Sequence, residues 1–143
     1  MLKRIMLLIF ICICLPAAAL EPDEALNISL YERINPAIVA IDAQIPDGFS
    51  AGTGCVIKSN GLILTGSHVV DGAKNIEVKT HNGQVYKAEV FAQMGKSKDL
   101  AILKIKPKDE LQTIAFGDSG NVKVGQRVLA IGNPFGFSGT LTQ

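Results

Sequence analysis

The sequence predicts an all-β, antiparallel fold, a small barrel of six strands, and three observations lead there. Six short apolar or alternating runs follow one another between residues 37 and 105. The joints between them are short and carry turn residues, as in Ser59-Asn60-Gly61 and His81-Asn82-Gly83. Hydrophobic residues make up 48% of the 143 and charged residues 19%, which suits one domain with a real core and argues against disorder. Short strands at regular spacing, joined by tight turns, are what a small closed sheet requires.

The first 19 residues stand outside that fold. Lys3 and Arg4 precede an apolar run over residues 5–15, then Pro16 and Ala17-Ala18-Ala19. A basic start, a short apolar centre and small residues at an A-x-A site describe a secretory signal peptide, cleaved after Ala19. An uncleaved membrane anchor is the competing reading, but the run is short for a bilayer. Loss of Lys3 and Arg4 with this leader turns the net charge from +1 to −1, so a polyanionic partner such as nucleic acid is not expected. Cys12 and Cys14 would leave with it. Cys55 would remain alone, unable to form an intramolecular disulfide, and its neighbours Gly54 and Val56-Ile57 make it a small core residue.

Residues 20–36 form an N-terminal segment. Leu30 and Ile34 lie one helical turn apart, which predicts a short amphipathic helix ended by Pro36. Residues 37–118 then hold the barrel. Its strands are read at 37–43, 53–58, 62–65, 75–80, 85–93 and 100–105, with 48–52 as loop. In the fourth, Ile76 and Val78 face one way and Glu77 and Lys79 the other. Asn82-Gly83 supplies a tight turn, since both residues accept positive φ. In the fifth, Tyr86, Ala88, Val90 and Ala92 share a face. Residues 119–143 form a linker and a new beginning: a strand over 122–131 with Gly125 in a turn, then Thr140-Leu141-Thr142 opening another. An unpaired strand edge at a terminus invites aggregation, so the sequence is expected to be a fragment or a truncated reading frame.

Two residues carry the chemistry. His68 follows a strand in Thr65-Gly66-Ser67-His68-Val69-Val70. Taken alone, a histidine beside two valines is more often packed or solvated than catalytic. Asp99 precedes an apolar strand in Lys98-Asp99-Leu100-Ala101, where it could merely begin that strand. The succession decides between these readings. Gly52-Thr53-Gly54, then His68-Val69-Val70, then Asp99-Leu100-Ala101, then Phe116-Gly117-Asp118-Ser119, then Ile131-Gly132-Asn133-Pro134-Phe135-Gly136 resembles the HtrA/Deg proteases, serine endopeptidases with the trypsin fold. The resemblance runs from about residue 31 to residue 143. One departure is Gly66, where the family usually has asparagine.

That resemblance implies the first of two trypsin-like barrels, with the second only begun. It implies that His68 is the general base and Asp99 its orienting partner, in the chain order histidine, aspartate, serine. Gly117-Asp118-Ser119-Gly120 looks like a nucleophile motif but continues with Asn121 and precedes the second barrel, so Ser119 is read as a decoy. The nucleophilic serine would lie beyond Gln143, and this chain alone would be inactive. The expected substrates are unfolded or misfolded proteins in the periplasm or outside the cell. No cofactor and no metal are expected, nor stable membrane insertion once the signal is gone. The full-length parent could be a homotrimer. The alternative is a non-catalytic binding or scaffold protein derived from a protease barrel. His81 sits in a turn, and Lys96 and Lys98 are too few for a nucleic-acid patch.

Overall fold

The computed structural model describes residues 20–132 and 139–142. The signal-peptide reading, with Cys12 and Cys14, lies outside these residues, as does most of the glycine-rich stretch 132–139. Among the described residues no helix is long and apolar enough to cross a membrane.

Seven strands build one antiparallel sheet: β1 (Ile38–Ile45), β2 (Gly48–Lys58), β3 (Leu62–Thr65), β4 (Asn75–Lys79), β5 (Val85–Lys87), β6 (Glu89–Met94) and β7 (Leu100–Lys104). Their order across the sheet is β5-β4-β1-β2-β3-β7-β6. The two edge strands, β5 and β6, are therefore consecutive in sequence, with Ala88 alone between them. Six steps of about 4.8 Å would set these edges about 29 Å apart in a flat sheet. Lys87 and Glu89, flanking one residue, can be at most about 7 Å apart. The sheet must curl until its edges meet, and a barrel results. The N–H of Ala88 still donates to the carbonyl of Ile76 (2.9 Å), so the bend keeps its ladder bond.

The expected all-β antiparallel barrel is thus what the chain forms. Its sixfold strand count becomes seven because the run over 85–93 bends at Ala88 and pairs on two sides. The shared face expected for Tyr86, Ala88, Val90 and Ala92 does not survive that bend. Tyr86 and Ala88 pack against the core, while β6 is exposed along its whole length. A register shift between Val90 and Ala92, where the strand carries an extra residue, breaks the alternation there.

Elsewhere the period of two holds. Val39, Ile41 and Ala43 of β1, Ile63 of β3, Ile76 and Val78 of β4, and Ala101 and Leu103 of β7 point inward, joined by Val56 and Ile105. Glu77 and Lys79 point outward, as expected. Residues 48–52, expected as loop, extend β2 instead: Ile45 pairs with Gly48 across Pro46 and Asp47. The pairing partner, not local composition, makes them a strand.

The N-terminal helix α1 (Pro22–Ile34) is longer than the sequence suggests and buries none of its residues. Pro22 opens it, and the Glu24 carboxylate accepts from the N–H of Glu21 (3.0 Å), so the polar residues ahead of Leu30 form the helix start. Its expected apolar face is half-buried: Leu30 and Ile34, with Asn27 and Tyr31, are shielded while the other helix residues are exposed. Polar contacts add to this, with Gln112 Nε2 donating to the Arg33 carbonyl (2.7 Å) and Arg127 paired with Asp23 (2.9 Å). After residue 105 the backbone is irregular up to a second, two-stranded sheet of β8 (Ala130–Gly132) and β9 (Thr140–Thr142). The strand expected over 122–131 shrinks to its last residues, because no strand among the described residues pairs with the rest; Val122, Val124 and Val128 are exposed. The expected turn is present, with Gly125 at φ 85°.

Deleting core volume should therefore cost far more than deleting exposed apolar surface. Leu103→Ala is expected to lower unfolding free energy by about 2–5 kcal/mol. Phe49→Ala, on the exposed hairpin, is expected to stay within about 0.5 kcal/mol. Urea denaturation measures both, and equal losses would contradict the core assignment.

Candidate active site

The site grows from the end of β3. Thr65 closes that strand with its side chain buried and its hydroxyl donating to the Thr53 carbonyl (2.8 Å). Gly66 follows, then a single helical turn, α2 (Ser67–Val70). Ser67, Val69 and Val70 of this turn are buried. Val69 lies over Gly52, where a Cβ would come within 2.7 Å of both its γ-methyls, so that glycine makes room for it. With its neighbours pinned inward, His68 is thrown outward, and its side chain is 72% exposed.

Asp99 arrives from the connection between β6 and β7. A short turn, α3 (Gly95–Lys98), ends with Asp99 at φ 47°, ψ 44°. Asp99 is the one non-glycine with positive φ among the described residues. Aspartate tolerates this left-handed conformation better than most residues, at a cost of about 1–2 kcal/mol. The result is a carboxylate aimed at His68. Its Oδ1 accepts from the backbone N–H of His68 (2.9 Å), and its Oδ2 lies 2.6 Å from Nδ1.

Two oxygens on one residue fix the ring in both position and tautomer. A carboxylate can only accept, so Nδ1 carries the proton and a neutral imidazole presents its lone pair at Nε2. The bond from the His68 backbone, then the bond from its ring, hold the Asp99 carboxyl below the usual aspartate range, against a smaller opposing effect of desolvation. Gly66 lies directly beneath the imidazole: a Cβ there would stand 2.7 Å from Cε1 and 2.9 Å from Nδ1. The absence of a side chain at residue 66 therefore leaves the ring its room.

Ser67, His68, Asp71 and Asp99 line one small cavity of 330 Å³. The structure thus brings both sequence-predicted residues together. Asp71 and Ser67 were not singled out in the sequence, where nothing but proximity to His68 could have marked them. Ser119 does not line this cavity. It sits in a 3₁₀ turn over Ser119–Asn121, capped by Asp118, whose carboxylate accepts from Gly120 N (2.9 Å) and Asn121 Nδ2 (2.8 Å). His81 is elsewhere too, its Nδ1 accepting from Asn35 Nδ2 (3.1 Å). Cys55 is half-buried, and burial pushes its thiol up, away from the thiolate a nucleophile needs.

An imidazole held by a carboxylate on a curled antiparallel sheet has counterparts. Residues 52–143 match the family described as trypsin-like peptidase domain. The chain belongs to this trypsin-like peptidase family. Its relatives in sequence carry HtrA/Deg names. A "Probable periplasmic serine endoprotease DegP-like" of Rickettsia prowazekii is 40% identical over 79% of the chain and 22% of its own length. "Protease Do-like 1, chloroplastic" of Arabidopsis thaliana is 36% identical over 86% of the chain and 30% of its own length. Among solved structures, the HtrA-type protease AlgW with tripeptide superposes with a TM-score of 0.75 at 31% identity, covering 81% of the chain and 38% of that protein. The serine endoprotease from Yersinia pestis gives 0.73, again at 31% identity, covering 81% and 42%. The chain thus spans between a fifth and a third of the curated relatives named here.

For this trypsin-like peptidase chain, the Asp99 carboxyl ionises at lower pH when folded than when unfolded. Its contribution to stability is complete above the unfolded value, about pH 4. It is lost as pH falls through the lowered folded value. Asp99→Asn, which keeps a residue tolerant of positive φ, should therefore melt lower than wild type at neutral pH and lose less stability on acidification below about pH 4. Parallel melting curves for the two proteins across that range would contradict the assignment.

Proposed function

We propose that the chain is part of a serine endopeptidase of the HtrA/Deg kind, with His68 as general base and Asp99 as its orienting partner. The observation that carries this reading is the 2.6 Å contact between His68 Nδ1 and Asp99 Oδ2, which leaves Nε2 as the free base. In this reading Nε2 takes the proton of an attacking serine hydroxyl and later returns it to the leaving amine. Asp99 stays ionised throughout and stabilises the imidazolium that forms between the two transfers. Among the described residues no hydrogen bond reaches Nε2, and Ser119 is engaged in its own capped turn. We therefore assign the nucleophile to residues outside this sequence, with residues 119–143 as the approach to the barrel that carries it.

The substrates we propose are unfolded or misfolded proteins, met after export to the periplasm. The basic, then apolar, then small-residue N-terminus and the periplasmic names of the relatives support that placement. The openness of the site favours one other reading. With His68 72% and Asp99 50% exposed, the 143-residue chain could serve as a non-catalytic binding or scaffold protein.

Labelling with a serine-directed fluorophosphonate separates the two. The 143-residue chain should take no label and cleave no unfolded casein. A longer gene product that continues into a nucleophile segment should do both, and its His68→Ala variant should lose turnover by a factor on the order of 10⁶. Label on Ser119, or full turnover without His68, would overturn the assignment of roles. A gene that stops at residue 143 would favour the scaffold.

A further inference from the structure

The turn that carries His68 has a second anchor. Ser67 is only 4% exposed, and its hydroxyl accepts a hydrogen bond from Gln93 Nε2 at 2.6 Å. Gln93 stands on β6, where it pairs with Ala101 of β7. Asp99 lies two residues before Ala101 on the same chain segment. A single amide therefore ties the backbone next to His68 to the strand pair from which Asp99 is suspended. The turn and the aspartate also meet directly, through the His68 ring and the backbones of His68 and Ser67 against the Asp99 carboxylate, but the His68–Asp99 contact is exposed, and exposed pairs of that kind hold geometry weakly.

We propose that Gln93 is a positioning residue for the His68–Asp99 pair, acting through the Ser67 hydroxyl. The inference rests on the reading of that pair as general base and partner. Gln93 touches neither the imidazole nor, in that reading, the substrate. It adds a side-chain tie between two elements that the β3–β7 pairing brings to one end of the sheet: a one-turn helix after β3 and a left-handed residue before β7. The polar accounting agrees. A buried hydroxyl left without a partner is destabilising, so the pair also stabilises the fold locally. Stability and positioning must therefore be separated by experiment.

Proton NMR of the 143-residue chain does this without relying on proteolysis. A ring proton held between Nδ1 and a carboxylate resonates far downfield of the amides, and the wild type should show that signal for His68, lost in Asp99→Asn. Gln93→Ala and Ser67→Ala should each broaden the signal beyond detection or move it upfield toward a solvent-exposed imidazole. The double variant Ser67→Ala/Gln93→Ala removes the orphaned hydroxyl along with its donor. It should recover the melting temperature lost by Gln93→Ala, yet not recover the downfield signal. An unchanged signal in Gln93→Ala overturns the inference while leaving the His68–Asp99 pair intact. Recovery of the signal together with the melting temperature also overturns it, since the bond would then be structural only. A wild type without the signal, indistinguishable from Asp99→Asn, sinks the paired reading itself and this inference with it.

Discussion

The site depends on the register of two neighbouring strands. β3 and β7 run antiparallel with Thr65 opposite Ala101. In an antiparallel pair, going forward along one strand and backward along the other leads to the same end of the sheet. Three residues past Thr65 is His68; two residues before Ala101 is Asp99. One backbone pairing therefore delivers an imidazole and a carboxylate, 31 positions apart in the chain, to within 2.6 Å. A slip of one residue would turn Ile63 and Leu103 out of the core and would also separate the two side chains. Burial of those residues protects the geometry, although neither His68 nor Asp99 is buried.

The division of labour follows from that arrangement. The exposed contact between His68 and Asp99 adds little to stability on its own, as exposed ion pairs generally do. What it fixes is orientation: both carboxylate oxygens are occupied, one by the backbone and one by the ring of the same residue. Stability comes from elsewhere, from the seven-stranded sheet forced closed at Ala88 and filled by Ile41, Ile63, Val78 and Leu103. Among the described residues the one non-glycine held at positive φ, Asp99, is the one that aims the carboxylate. Strain at such a position persists when the surroundings over-determine it, as two flanking strands do here.

Legibility in the sequence varied with the range of the physics involved. Alternation in Ile76-Glu77-Val78-Lys79 is a local property of a half-buried strand, and it read true. The Asn82-Gly83 turn is equally local, with Gly83 at φ 82°. The bend at Ala88 was not legible, because nothing in Tyr86-Lys87-Ala88-Glu89 marks it; it exists because two edges of a distant sheet have to meet. The same holds for residues 48–52, which are strand only because β1 lies beside them. The helical spacing of Leu30 and Ile34 is local, and both are half-buried, whereas Gln112 and Arg127, which also hold that helix, lie about 80 and 104 positions away from the residues they bind.

The candidate pair divides in the same way. That His68 and Asp99 belong together came from an ordered succession of short motifs resembling a known family, a one-dimensional pattern that a sequence carries in full. Composition and strand spacing likewise determined a small all-β domain, since both follow from side chains and their immediate neighbours. Which nitrogen of His68 bears the proton, how Asp99 turns to meet it, why a glycine at 66 leaves the ring its room and what Gln93 holds were decided only when the sheet closed. Those features depend on distances between residues that the chain keeps far apart, and such distances exist only in the folded state.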